Sequence, residues 1–233
     1  MTQDDKREKE LIGLFELQEP VPKTRGGLDA HLEWSDERIE IEIKSCTNEQ
    51  CTVSTARDVG GDHIARWRKL HWLFGFYDLH QNLLYCLYGS PQRMKPWIDK
   101  LEEYVRPDVL LAQRAAAQLR MADLYAVLGK KTVYTLDDAK RLQKKQYSQN
   151  QYRDAMDLKD GYSPQRMLEI LQARLQYIAS RGSTLNNPHI PGSYFTGWPQ
   201  IKADHAATLR RMVNDYFADK EDAAPRKPGE EVL

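Results

Sequence analysis

Long apolar runs are missing from this 233-residue chain. None approaches the roughly 18 residues that span a bilayer, so no membrane helix is expected. Met1 to Glu10 is polar and charged, without the apolar stretch of a secretory leader. Cysteine is scarce: Cys46, Cys51 and Cys86 only. An odd count argues against a disulfide framework, and Cys46 and Cys51 have neither CxxC spacing nor a second pair for zinc. Net charge is absent too, with 34 Lys+Arg against 34 Asp+Glu, which removes the simplest footprint of nucleic-acid binding. There is no GxSxG elbow, P-loop, HExxH or GxGxxG motif, so those chemistries have no support. These absences lead us to expect a soluble, cytoplasmic protein with no membrane partner.

What is present is enough apolar material for a core, at 41% of residues. The length suits one compact domain with a helical elaboration. The charges are unevenly spread. Residues 1–50 hold 7 basic and 13 acidic residues, and residues 51–153 hold 17 and 10. An acidic first part beside a basic middle suits a metal site next to a phosphate-binding surface, although chance variation would give the same.

Asp4 to Leu17 reads as a helix ended by Pro20 and Pro22. Leu28 to Trp34 and Arg38 to Ser45 alternate apolar and polar residues and read as a hairpin turning at Ser35-Asp36-Glu37. Cys51 to Ser54 is a candidate short strand. Arg57 to Lys69 is helix-like, and His71 to Tyr77 and Leu83 to Tyr88 read as strands. The rest reads as helical. Ser90-Pro91, Ser163-Pro164 and Thr135 mark helix starts, and Pro107 to Leu128 carries an Ala-rich stretch. Met167, Leu168, Leu171, Leu175 and Ile178 form one core stripe. Residues 182–199 read as a loop, and a last helix is expected from Gln200 to Phe217. The expected organisation is a core over 1–90, a helical part over 91–217 and a flexible tail over 218–233. The expected fold class is α/β in the α+β sense.

The chemistry is concentrated in the hairpin. On a strand from Arg38 to Ser45 the isoleucines share one face, and Glu40, Glu42 and Lys44 share the other. The hairpin can bring Asp29 beside Glu42. Two carboxylates at one point repel unless a divalent cation joins them, and hard oxygen ligands suit Mg²⁺. Lys44 would then position a water or offset charge in the transition state. Glu40 is either an alternative ligand or a cross-strand charge partner.

The pattern Gly27-Leu28-Asp29 followed by Glu42-Ile43-Lys44 resembles the PD-(D/E)xK nuclease superfamily. The order helix, hairpin, strand, helix, strand over residues 4–88 resembles that family's core. The proline that names the motif is replaced here by Leu28. The resemblance implies a central mixed sheet and a helical C-terminal elaboration most like a type II restriction endonuclease. It implies Mg²⁺-dependent hydrolysis of phosphodiester bonds in double-stranded DNA, with Mn²⁺ as a substitute. The catalytic residues would be Asp29, Glu42 and Lys44. The metal ligands would be Asp29, Glu42 and the Ile43 carbonyl, with Glu10 as a further candidate and Glu8 and Glu16 as its alternatives. A homodimer on a palindromic site and a companion DNA methyltransferase are also implied.

Ser54, Thr55 and Arg57 follow the catalytic strand, and Gly60-Gly61 leaves helix amides open to a phosphate. Arg66, Arg68 and Lys69 can neutralise phosphates. His63 sits among them and reads better as a structural histidine. Arg141, Lys144 and Lys145 read as a solvated face. Asn186 and Asn187 can read adenine edges or simply form a turn. Two rivals stay open. One is a repair or junction-resolving nuclease with the same site; the other is a non-catalytic DNA-binding or scaffold protein.

Overall fold

The computed structural model describes residues 3–21, 27–35, 37–47, 52–55, 61–181 and 187–223. Arg57, Gly60, Cys51 and Asn186 lie outside these residues. The chain is α+β, with a five-stranded mixed sheet and eight helices among the described residues. It divides into two compact units. The first comprises Met1–Ala56, Ile64–Lys100 and Asn187–Leu233, and the second Arg57–His63 and Leu101–Asn186.

The first unit holds the sheet. Its strands are β1 (Ala30–Trp34), β2 (Glu37–Thr47), β4 (His71–Tyr77), β5 (Leu83–Gly89) and β7 (Gln200–Ile201), in spatial order β1-β2-β4-β5-β7. β1 and β2 form the expected antiparallel hairpin, with Ala30 opposite Ile41. Ser35, at its turn, takes the left-handed conformation with φ 50°. β2 and β4 run parallel, so a crossover must join them. It passes through β3 (Val53–Ser54) and α2 (Gly61–Trp67). β3 does not join the large sheet; it pairs with β6 (His189–Ile190) in a separate two-stranded sheet.

The sheet's two faces differ in kind. On one, Ala30, Leu32, Ile39, Ile41, Ile43, Leu73 and Tyr88 pack with Leu11 of α1 (Gln3–Leu14), with Phe15 just beyond it, and with Leu209 and Val213 of α8 (His205–Ala223). The other carries Trp72, Phe74 and Phe76 among aromatic rings. Trp67 of α2 meets Trp72 at 5.2 Å and Trp97 of α3 (Pro91–Ala117) at 5.6 Å, and Phe195 meets Phe74 at 4.8 Å. Glu42 and Lys44 open on this second face, because they share register and side with Trp72 and Phe74.

Gly75 lets α1 approach β4. A Cβ there would meet Leu11 Cδ1 at 2.9 Å, and Leu11 is fully buried. Gly75→Ala is therefore expected to destabilise the protein by about 1–3 kcal/mol through overpacking, read as a lowered urea midpoint at unchanged slope.

Several expectations are corrected. The expected 1–90 core is completed from the far end of the chain by β7 and α8. The last helix begins at His205, not Gln200, because residues 200–201 pair with β5 and Asp204 turns through φ 47°. It continues to Ala223, so the tail expected from 218 is helical over its first residues. The Ala-rich stretch over Pro107 to Leu128 is divided between two helices, and Pro107 starts neither. It lies within the 27-residue α3, which ends at Ala117 before α4 (Met121–Leu128). The missing amide is offset by a stripe that buries Trp97, Ile98, Leu101, Val105 and Ala112. Cys46 is in a disulfide: an odd count forbids only complete pairing. Cys86 is free, and burial pushes its thiol up to about 12.

The second unit is helical, with α4, α5 (Leu136–Gln143), α6 (Gln149–Asp154) and α7 (Pro164–Arg181). Thr135 caps α5 as expected, its hydroxyl accepting from the Asp138 amide. Ser163 does the same for Arg166 at the start of α7. Of the α7 stripe, Met167, Leu168 and Leu171 are buried, but Ile178 is 51% exposed, so the core ends before that turn.

Candidate active site

β1 starts at Ala30, so Asp29 stands where backbone pairing with β2 ceases. Its carboxylate replaces the missing strand partner: Oδ2 accepts the Ile43 amide at 2.8 Å. This one bond sets Asp29 beside the catalytic-strand candidates. Glu42 and Lys44 are two residues apart on β2 and therefore share a face. Lys44 Nζ lies 2.7 Å from Glu42 Oε1 and 3.5 Å from Asp29 Oδ2, and donates to the Ile43 carbonyl at 2.9 Å. Three oxygens from three backbone positions thus converge on one cation.

The cluster is poorly solvated. The side chain of Glu42 is 7% exposed, Lys44 19% and Asp29 21%. Burial pushes the Glu42 carboxyl above its ordinary range; the Lys44 charge opposes this and the Asp29 charge adds to it. Burial works against the Lys44 charge, but Glu42 and Asp29 together outweigh it, and its pKa lies above the ordinary lysine value.

Arg66 reaches the same cluster from α2. Its Nη2 lies 3.8 Å from Glu42 Oε2 and donates to the Gly27 carbonyl at 2.7 Å. From the sequence Arg66 is a phosphate contact. A bond to a carbonyl 39 residues away leaves no local signal.

Two carboxylates and a main-chain carbonyl are hard oxygen donors, the class that Mg²⁺ takes, with waters completing its shell. The ammonium among them shows that the three can face a single positive charge. Among the described residues, no group of three or more His, Cys, Asp and Glu side chains meets at one point. Glu10 is not brought here. It accepts from the Tyr77 hydroxyl at 3.0 Å. Tyr77 pairs with Thr47, and five residues of strand, roughly 16 Å, separate that row from Glu42. Glu40 is exposed and lies across from His31.

The expected DNA contacts are distributed as follows. Ser54 and Asn187, 133 residues apart, are brought together: the Asn187 amide donates to Ser54 Oγ at 3.1 Å. Thr55 is buried, and its hydroxyl and amide are both committed to the Pro188 carbonyl. Thr55 therefore pins a loop and offers nothing to a ligand. Arg68 is held by Asp99 at 2.6 Å, which Lys95 also holds. Lys69 is exposed just beyond α2. His63 is half-buried on α2 and belongs to the second unit.

A cleft of about 570 Å³ opens elsewhere in the first unit, lined among others by Ser90, Arg93, Arg211 and Asp215. Asp29, Glu42 and Lys44 do not line it. Compared with models of known protein families and with curated proteins, the chain matches none.

Proposed function

We propose that the protein is a Mg²⁺-dependent endonuclease of the PD-(D/E)xK type that hydrolyses phosphodiester bonds in double-stranded DNA. The observation that carries this reading is the convergence of Asp29, Glu42 and the Ile43 carbonyl on one cationic centre. The motif residues lie 13 positions apart in sequence, and pairing within the hairpin places them together.

Asp29, Glu42 and the Ile43 carbonyl would hold the ion, which supplies an activated water and charge for a phosphate oxygen. Asp29 would be oriented for this by the Ile43 amide, which fixes Oδ2, the oxygen that also faces Lys44. Lys44, as an ammonium, has donors only. It orients the attacking water and offsets the negative charge that grows on the phosphate oxygens. The aromatic layer behind Glu42 keeps bulk water from that side, which strengthens each charge interaction. Lys69 and Ser54 lie exposed and Asn187 half-buried on the same unit, and they suit backbone contacts, with Lys69 sensitive to salt. We further propose a sequence-specific enzyme of the type II restriction kind, acting as a homodimer beside a companion methyltransferase, with Mn²⁺ able to replace Mg²⁺.

Incubation of purified protein with a sequenced plasmid, in Mg²⁺ and in EDTA, tests this. Discrete fragments in Mg²⁺ that vanish in EDTA are expected. Cutting confined to branched DNA would keep the active site and move the protein to the structure-specific nucleases. Neither cleavage nor DNA binding under any divalent ion would overturn the reading.

A further inference from the structure

We infer that Arg66 is the positioning residue that holds both site carboxylates in place, rather than a contact to DNA phosphate. This rests on the metal-dependent reading above.

Arg66 stands on a rigid base. α2 has only seven residues, too few to be stable alone. It is locked by its neighbours in sequence: Trp67 is 0% exposed and Ile64 2%. Trp67 packs edge-on against Trp72, and Trp72 is the strand partner of Glu42. The Arg66 backbone is therefore referenced to the row of the sheet that carries the catalytic glutamate. Its side chain then returns to that row.

One nitrogen makes two contacts there. Nη2 faces Glu42 Oε2 at 3.8 Å while Lys44 takes Oε1 at 2.7 Å. The two oxygens of Glu42 are thus held apart by two cations, which fixes the rotation of the carboxylate. The same nitrogen bonds the Gly27 carbonyl at 2.7 Å. Gly27 lies two residues before Asp29, at the chain's entry to β1. Tying it to α2 limits how far Asp29 can withdraw from β2. Groups that orient ligands in this way, without touching the ion, change metal affinity by about 10–100-fold when removed.

The sign of the effect decides between roles. If Arg66 were merely a nearby positive charge, its removal would tighten divalent-ion binding. If it were a phosphate clamp, removal would weaken DNA binding and leave ion affinity alone. Positioning requires weaker ion binding.

Mn²⁺ binding to the whole protein, without DNA, is measured by calorimetry for wild type, Arg66→Ala, Arg66→Gln, Arg66→Lys and Asp29→Ala. Circular dichroism and thermal unfolding identify any variant that fails to fold. The expected result is a loss of roughly tenfold or more in Mn²⁺ affinity for Arg66→Ala. Substantial recovery is expected in Arg66→Lys, because a single nitrogen serves both contacts. Unchanged or tighter Mn²⁺ binding by a folded Arg66→Ala would overturn the inference. Should Arg66→Ala be unfolded, Arg66→Gln decides: a loss of roughly tenfold or more in Mn²⁺ affinity supports the inference, and unchanged or tighter binding overturns it. The underlying reading fails separately, if wild type binds no Mn²⁺ or Asp29→Ala binds it unchanged.

Discussion

Asp29→Ala, Glu42→Ala and Lys44→Ala are each expected to slow Mg²⁺-dependent cleavage of plasmid DNA by about a thousandfold. That equals about 4 kcal/mol of transition-state stabilisation. It is the scale measured when one preorganised group facing developing charge is removed. On the proposed nuclease reading, the losses arise differently. Without Asp29 the Ile43 amide loses its acceptor and the ion one ligand. Without Glu42 the second ligand goes, and Lys44 loses its shortest contact. Without Lys44 the carboxylates stay, and the charge near the scissile phosphate is lost. Glu10→Ala and Arg68→Ala serve as controls. Their partners are Tyr77 and Asp99, so rates within about threefold of wild type are expected, under ~0.7 kcal/mol. The check is initial rates on a supercoiled plasmid, with DNA binding in Ca²⁺ measured alongside. Near-wild-type cutting by one of the three would remove that residue from the mechanism. Strong loss in a control would show that the site extends further than the present cluster.

The hairpin was legible because two local rules agree there. Ile39, Ile41 and Ile43 alternate with Glu40, Glu42 and Lys44, and that period of two assigns each side chain a face. Asp29 was placed by register, since a hairpin turning at Ser35 must return Ala30 opposite Ile41. The strands His71–Tyr77 and Leu83–Gly89 were legible as apolar runs bounded by turn residues. What was hidden depends on long-range pairing. Gln200 and Ile201 are two residues long as a strand, too short for a pattern, and only β5 makes them one. Val53 and Ser54 find their partners 137 and 135 residues later, at Ile190 and His189. Pro107 lies inside α3, carried through by a long buried stripe that begins at Trp97, ten residues before it. Arg66 and Glu10 make contacts, to Gly27 and Glu42 and to Tyr77, that no local pattern announces. A side chain's target is set by which element packs beneath it, and nothing within ten residues of either reports that.

The ammonium among the three oxygens makes a second large effect expected, on stability. Lys44→Ala leaves Glu42, its side chain 7% exposed, facing the like charge of Asp29, with Arg66 at 3.8 Å as the remaining cation among the described residues. Removing one partner of a buried ion pair costs about 3–5 kcal/mol. Asp29 and Lys44 are each about one-fifth exposed, so solvent screening brings the expected loss to roughly 2–3 kcal/mol in EDTA. Adding Mg²⁺ should return much of it. An ion that binds the folded chain alone stabilises it by about 2.7 kcal/mol at a hundred times its dissociation constant. Lys44→Ala should gain more from Mg²⁺ than wild type does, because in wild type an ammonium already neutralises the same oxygens. Urea unfolding of both proteins, with and without MgCl₂, gives the four free energies. A larger Mg²⁺ increment in Lys44→Ala than in wild type means that lysine and ion answer to one set of oxygens. Equal increments would place the ion elsewhere. No loss in EDTA would show that Glu42 is accommodated without Lys44, and the convergence would then have no energetic weight. Lys44 is thus expected to be both the residue whose removal disables cleavage and the one whose removal the ion best repairs, and the two measurements together separate its charge from its chemistry.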